Sequence, residues 1–460
     1  MTKKFLCFDS GTTNTKVFLF SQKGRLVQKV SVETQITFPA PLFAEQNSEN
    51  WVIALTKGIL RLNQSQAVSC ISGSFQGGTF VLLDKNLQPL RPAMTWLDNR
   101  AKDIASDLIK EHGEDFFYKK TGYVPGGWSC IAMLKWLKKN EPETFKKIAR
   151  ISFVADYVNH FLTGNFIMDY TNAAITTLFN IVKCQWDEDL LELAGIKKQM
   201  LPEITQASSF IGTLKQDAAR LTGLKSGIPV VAGGHDQYCA SLGAGAGEKG
   251  SALVSCGTAW VLLVTTGKLV FDSERQLSPG PHLKPGTYGI MAAMSNGGVI
   301  YAWGRKNLVG KSFLFKEPSN VVVIPEFNTG RGLISGLNLS TTSSEILQGI
   351  VESLCFQVRE KLEKVNRILP KKEKINRVIM IGGAAKDMVV ARMLATITGK
   401  TVFVPKIVDA TGFGAMRLSI SASGLEKLPG RVVKPRYSLI DSYMKSYNKF
   451  MQLKNICKEL

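Results

Sequence analysis

Apolar and polar positions along the chain follow two rhythms, a period near two that marks strands and one near 3.6 that marks helices. At the N-terminus an apolar run, Phe5–Phe8, ends in Asp9, and Ser10, Gly11, Thr12, Thr13, Asn14 and Thr15 follow without a break. A second apolar run, Val17–Phe20, leads to a turn at Gln22–Gly24. Two such runs joined by a small polar turn predict a hairpin. Lys23–Thr34 reads as a third strand, and Ser48–Leu62 as an amphipathic helix with Trp51, Leu55, Ile59 and Leu62 at helical spacing. Ala67–Ser72 predicts a short buried strand, followed by a glycine-rich turn over Gly73–Thr79 and a strand at Phe80–Asp84. Helices are expected over Ala101–Glu111, Ile131–Lys138, Leu190–Gly195 and Gln216–Gly223, the last two closing on a glycine suited to a C-cap.

Further on, the wholly apolar strand Ile228–Ala232 breaks at Gly233-Gly234-His235-Asp236-Gln237 and continues into a small-residue helix. Ser251–Ser255, the turn Cys256-Gly257-Thr258-Ala259 and Trp260–Thr265 then repeat the opening pattern, without its acid and its lysine. Two similar hairpins predict duplicated domains facing one another across a cleft, divided as 1–241 and 242–460, with a hinge in the Ala/Gly stretch Ser241–Lys249. Within Met294–Arg305, Gly297-Gly298 opens a helix, and the polar link Asn338–Ser344 caps a long one starting near Ser344. Arg377–Ile381 reads as a buried strand ending in Gly382-Gly383-Ala384-Ala385-Lys386-Asp387, before helix Met388–Thr398 and strand Thr401–Pro405. Asp409–Ser423 is a small-residue helix, and the basic amphipathic tail Tyr437–Leu460 reads as a docking helix rather than a membrane-surface one.

Three of these stretches carry candidate chemistry. In the opening turn, hydroxyls and amides beside exposed N–H groups make a concave donor array that suits a phosphate, and Asp9 is placed to hold a divalent cation directly or through water. An ordinary Ser/Thr-rich turn reads equally well there. Asp236, at the tip of a buried strand, is a costly place for a charge unless it is used, and a carboxylate there suits a general base on a hydroxyl. His235 beside it reads as a satisfied loop histidine. The strand, glycine turn and helix around Gly382–Asp387 bring backbone close to a nucleotide, with neither dinucleotide nor P-loop spacing. Gln76, on a glycine turn at a strand end, is placed for ligand contact, whereas Trp96, near Asp98 and Arg100, reads as core packing.

The bulk properties narrow the class. The 460 residues are too many for one core, and 45% hydrophobic with 20% charged residues is a globular balance. No apolar stretch reaches membrane-span length and the N-terminus is too weakly apolar for a signal peptide, so the cytoplasm is the expected compartment. Eight dispersed cysteines, none in a CxxC pair, read as reduced thiols, and four histidines form no metal cluster. The net charge of +20 is scattered, without the basic-aromatic motifs of a nucleic-acid module, and equally suits small phosphorylated anions.

At this point the ordered motifs, spanning essentially the whole chain, resemble the FGGY-type carbohydrate kinases. DSGTTNTK (Asp9–Lys16) resembles their first phosphate motif, SCGTAW (Ser255–Trp260) their second, and GGHDQ (Gly233–Gln237) the strand end bearing a catalytic aspartate. GGAAKDMVVARMLA resembles the adenosine motif, and GRGLISGLNLSTTSSEILQGIVESLCF the long second-domain signature; WLDNRA and DYTNAAITTLFNI also resemble family segments. The resemblance implies an α/β fold of two duplicated ribonuclease H-like, actin-like ATPase domains with a central cleft. It implies ATP-dependent phosphorylation of a small sugar, such as the ketose xylulose, or of a polyol. Asp236 would deprotonate the acceptor hydroxyl and Asp9 would hold Mg²⁺ through water. Gly11, Thr12, Thr13, Asn14 and Lys16 would meet the β- and γ-phosphates, with Gly257 and Thr258 on the other side. Gly298, Gly383, Ala384 and Asp387 would line the nucleotide. Gln76, Trp96, Trp128 and Gln237 would contact the substrate, together with Gly77, Gly78 and Asp236. At Gly77-Gly78 the xylulokinase-like members carry Met-His and the glycerol kinases Arg-Glu, so the glycines imply a roomier pocket or a different substrate face. Asp387 and Arg392 also depart from the usual Ser or Asn and Gln of the adenosine motif. The alternative is a non-catalytic sugar- or nucleotide-binding regulator on the same fold. No nucleic-acid or membrane partner is expected, and a homodimer is left open.

Overall fold

The opening hairpin forms because its two apolar runs bury both of their faces. Strands β1 (Lys4–Ser10) and β2 (Asn14–Ser21) pair antiparallel, and Leu6, Cys7, Val17, Phe18 and Leu19 are fully buried. The structure, a computed structural model, describes residues 3–62, 68–257, 259–294, 297–308, 317–327, 330, 332–420 and 428–459, the side chains at 372, 458 and 459 apart. Strand β3 (Leu26–Glu33) alternates half-buried and exposed residues, as an edge strand should, and pairs antiparallel with β2.

On the other side of β1 lies β4 (Val68–Phe75), in parallel. This strand is longer than its sequence suggests. Gly73, Ser74 and Phe75, expected in a turn, pair with Phe8, Asp9 and Ser10. The turn begins only at Gln76, because the pairing with β1 continues to its last residue. Strands β5 (Phe210–Thr213), β6 (Pro229–Val231) and β7 (Gly234–His235) complete a sheet ordered β5-β6-β4-β1-β2-β3, with β7 also on β4. Gly234 and His235, expected in a loop, are thus a short strand opposite Ser74 and Phe75. Helix Glu49–Leu60 packs on β2 and β3, and helices Glu188–Ala194 and Gln216–Thr222 end at left-handed Gly195 and Gly223, as their sequences predict.

The second half repeats the plan. Strands β8 (Ser251–Cys256), β9 (Trp260–Thr266), β10 (Tyr288–Met294), β11 (Arg377–Gly382), β12 (Thr401–Pro405) and β13 (Gly430–Val433) lie in the order β10-β9-β8-β11-β12-β13. Again a hairpin, β8 and β9, is flanked by a parallel strand, β11. Helix Ser343–Ile368 starts on a capping box in which Thr342 and Glu345 satisfy each other's backbone N–H. The tail helix Ile440–Glu459 docks through buried Tyr443, Tyr447 and Phe450, with Phe450 packed on Phe356 at 5.5 Å between ring centroids. No helix among the described residues is long and apolar enough to cross a membrane.

The chain divides into two units that are not contiguous in sequence. Unit 1 comprises Met1–Gly243, Phe271–Gly289 and Asp409–Lys427; unit 2 comprises Ala244–Val270, Ile290–Val408 and Leu428–Leu460. The ranges 1–241 and 242–460 expected from the sequence therefore differ by two segments of the second half that belong to unit 1. One of these holds helix Ala410–Ser419, which packs on β1 and β4.

A buried ionic knot fixes one rim of unit 1. Arg100 donates to Asp98 and, at 2.6 Å, to Glu45, with its guanidinium 3.7 Å above the Phe43 ring. Asp98 also accepts the Ala44 N–H at 2.8 Å. The knot ties the segment around Trp96 to the short strand Glu45–Gln46. Removing the cation would leave the Asp98 carboxylate buried without a counter-charge, while Glu45 keeps its pair with Arg91. Arg100→Leu should therefore cost about 3–5 kcal/mol, read as a drop in the midpoint of thermal unfolding.

Candidate active site

Strand register, not proximity in sequence, assembles the first cluster. Asp9 faces Lys16 across β1–β2 and Ser74 across β1–β4, and Ser74 in turn faces Gly234 of β7. The side chains follow. Lys16 Nζ lies 3.2 Å from Asp9 Oδ2, and Ser74 Oγ donates to Asp9 Oδ1 at 2.9 Å. One residue beyond the next row stand Gln76, whose N–H donates to the Ser10 carbonyl, and Asp236, first residue of helix Asp236–Ala244.

A third carboxylate joins them. Asp409 caps helix Ala410–Ser419, accepting from Gly412 N–H and Thr411 Oγ1, and lies 3.3 Å from both Lys16 Nζ and Lys29 Nζ. Sequence reading passed over it as the start of a small-residue helix; an acid in a helix-capping position was the one signal available. Lys16 is thus shared by two acids. Burial works against its charge, but Asp9 and Asp409 outweigh that and raise its pKa above the ordinary lysine value. Burial, helped by the negative charges of Asp409 and Asp236, lifts Asp9 to about 6 against the pull of Lys16. Asp409, also buried, is held below the usual carboxylate range by Lys16, Thr411, Lys29 and the Gly412 N–H. Burial likewise lifts Asp236 to about 6, opposed by the Gln237 N–H and Lys16.

The polar turn is bound to its neighbours through Thr12. Its Oγ1 donates to Gln76 Oε1 at 2.9 Å and accepts from Trp96 Nε1 at 2.9 Å, while its carbonyl accepts from Gln46 Nε2 at 2.6 Å. Gln46 Oε1 in turn accepts from Gln76 Nε2 and Trp51 Nε1. Trp96 is therefore not core, contrary to its sequence reading: it stays 41% exposed because its indole N–H is drawn to the turn. Gln46 was missed altogether, since one glutamine in a two-residue strand leaves no pattern. Gly11 N–H donates to the Asn14 carbonyl, closing the turn, and Asn14 Nδ2 donates to Thr13 Oγ1. Trp128 stands edge-on to Tyr123, and the neighbouring Gly127 abuts Asn99. Among the described residues, Gln237 Oε1 is buried without a partner, as are the hydroxyls of Ser10 and Thr15.

Gly77 does not enlarge a pocket. A Cβ at Gly77 would lie 2.4 Å from His235 Cδ2 and 2.7 Å from Ile175 Cγ2, so that space is already filled. Gly78 has φ +75°, a conformation that L side chains rarely adopt.

Unit 2 carries the other expected residues. Gly257 follows β8, and Thr258 lies outside the described residues. Gly298 is in the first turn of helix Gly297–Asn307. Gly382, at φ +96°, ends β11 against the Cys256 backbone, and Gly383 and Ala384 form the tight turn after it. Asp387 caps helix Met388–Thr398 through Val389 N–H and accepts from Tyr301 Oη at 3.2 Å.

No cluster of three or more His, Cys, Asp or Glu residues able to hold a metal exists among the described residues. Asp9, already engaged by Ser74 and Lys16, fits a magnesium ion that keeps most of its water, since that ion needs only one or two carboxylates besides phosphate oxygens.

Paired sheets of this kind, each a hairpin flanked by parallel strands, define an α/β protein of the ribonuclease H-like, actin-like class. The N-terminal domain model of the FGGY family of carbohydrate kinases matches residues 4–243, and its C-terminal domain model residues 252–423. The chain belongs to this family and is a carbohydrate kinase, an enzyme that phosphorylates a sugar or polyol. It is 27% identical to a xylulose kinase of Lactococcus lactis over 91% of this chain and 88% of that one. It is also 27% identical to a glycerol kinase of Malacoplasma penetrans, over 93% and 90%. The crystal structure of a xylulose kinase from Brucella ovis shares the fold, with TM-score 0.91 at 24% identity and 99% coverage of both chains.

The Gln46 hub gives a direct test of this arrangement. Gln46→Leu roughly keeps the side-chain size but strands Gln76 Nε2 and the Trp51 indole N–H, and leaves the Thr12 carbonyl with the Thr34 hydroxyl alone. The expected cost is about 1–3 kcal/mol in thermal or urea unfolding, with a higher KM for the acceptor.

Proposed function

We propose that the chain transfers the γ-phosphoryl group of ATP to a hydroxyl of a small sugar, such as a ketose of the xylulose type, or of a polyol, with Asp236 as general base. One observation carries this reading. In unit 1 the polar turn is hydrogen-bonded through Thr12 to Gln76 and Trp96, and Gln76, bonded to the Ser10 carbonyl, stands one row beyond the Asp9–Lys16 cluster, whose charges act on Asp236.

In this reading Gln76, Trp96, Trp128 and Gln237 orient the acceptor, the amides bonding hydroxyls and the indoles covering apolar faces. The Gln237 oxygen, buried without a partner, suits a hydroxyl donor. Gly11, Thr12, Thr13, Asn14 and Lys16 meet phosphate oxygens. Asp9 holds a hydrated magnesium ion, whose chemistry is to offset charge on the phosphates. Gly257 and Thr258 serve phosphate, and Gly298, Gly383, Ala384 and Asp387 the nucleoside. Asp236 takes the acceptor's proton as the acceptor oxygen bonds to phosphorus and the bond to the departing ADP oxygen breaks.

The reading is tested by ADP release from Mg-ATP with a panel of ketoses, aldoses and polyols. Asp236→Asn should lower turnover by about 10²–10⁴-fold. ADP release without any acceptor, indifferent to that substitution, would sink the proposal. The pH profile offers a second check. Asp236 accepts a proton only as the carboxylate, which predominates above its pKa of about 6. Below that pH kcat/KM should fall about tenfold per unit for Asp236 alone and up to about a hundredfold with Asp9, which is lifted to about 6 as well, and above it the profile should level.

A further inference from the structure

We propose that His235 is a positioning residue for Asp236, and that Gly77 is the space its ring requires. The inference rests on the reading of Asp236 as the base. His235 was expected to be a satisfied loop histidine, yet it is a strand residue with a ring buried on every side. Its N–H donates to Thr171 Oγ1 at 2.9 Å, and Thr171 N–H is held by Asp169 at 2.7 Å. Pairing with Phe75 of β4 sets the direction of its side chain, and Tyr238 stands edge-on to the ring at 5.8 Å.

The Cδ2–Nε2 edge occupies the gap between the substrate turn and the base. Nε2 lies 3.4 Å from Asp236 Oδ1, and 2.6 Å from where a Cβ on Gly77 would stand. Any side chain at position 77 and an imidazole at position 235 therefore exclude one another. The wall beside Gln76 is supplied from the Asp236 strand end instead of from the turn. Among the described residues Nδ1 has no hydrogen-bond partner, so packing rather than hydrogen bonding holds the ring. Burial also keeps the imidazole neutral, with its pKa lowered to about 4 against a weaker pull from Asp169. A neutral wedge limits the swing of the Asp236 carboxylate without adding a positive charge that would weaken it as a base.

The test is a second-site cycle on the full chain, with Gly77→Ala, His235→Ala, the double variant and Asp236→Asn. Thermal melting is measured for each, with ADP release from Mg-ATP using the panel acceptor of highest turnover and, separately, no acceptor. A displacement near 1 Å beside reacting groups costs about 10²-fold, so Gly77→Ala should lose about that much in acceptor kcat/KM, with the KM for ATP unchanged. His235→Ala should lose about tenfold. The double variant should match His235→Ala within about threefold, because with the ring gone the new methyl no longer pushes on the base. Should Gly77→Ala fail to fold, the double variant should still fold, since the methyl then meets Ile175 Cγ2, the end of an aliphatic side chain beside the space the ring has left. Wild-type activity in Gly77→Ala, or losses that multiply in the double variant, would overturn the inference. If Asp236→Asn retained full turnover, the base reading would fall instead, while the melting data would still report on the Gly77–His235 contact.

Discussion

One lysine shared between two buried acids is the constraint on which unit 1 depends. Asp9 lies in the middle of a sheet, where an unpaired carboxylate would be prohibitive, and it is tolerated only because Lys16 and Ser74 arrive on the same cross-strand row. Slipping either pairing by one residue would send these side chains to the opposite face. The row therefore ties the register of three strands to the survival of a charge, and Asp409 brings a helix from far along the chain to the same lysine. With one cation between two anions, compensation is incomplete. Burial above all, with the charge of Asp409 beside it, lifts Asp9 to about 6, while Lys16 and further donors hold Asp409 below the usual carboxylate range.

Much of this could be read in the sequence, and the rest failed for physical reasons. Hairpins, long helices and their glycine caps were legible because their signals are local: a period, a capping residue, a left-handed glycine. The boundary of β4 was not, because Gly73, Ser74 and Phe75 look like turn residues until a parallel neighbour satisfies their backbone. Trp96 was assigned to the core on its size, yet one indole N–H outweighed that prior. Gln46 and Asp409 carry no periodic signal, since their roles depend on groups distant in the chain. Gly77 was read as an absence of side chain; whether an absence makes a cavity depends on what packs into it, and here His235 does.

The duplication also separates what fold preserves from what chemistry requires. Both units place a hairpin beside a parallel strand, in the same order. In β8 and β9, however, no acid or lysine faces across the hairpin end; Cys256 pairs with Trp260 there. The backbone frame survives without the charges that crowd its counterpart, so the frame itself does not need them. Among the described residues, the hairpin end of unit 2 carries no counterpart of the Asp9–Lys16 pair.

The interleaving of the two units in sequence has a consequence for synthesis. Helix Ala410–Ser419 covers β1 and β4, with Phe413 against Phe20 at 5.8 Å and Gly412 close upon Phe18. While the ribosome is still making residues 244–408, the completed first stretch must wait with those phenylalanines bare. A nascent chain carrying such an uncovered face is prone to cling to others like it. Unit 1 can thus complete its packing only once residues 409–427 have been made, after most of unit 2.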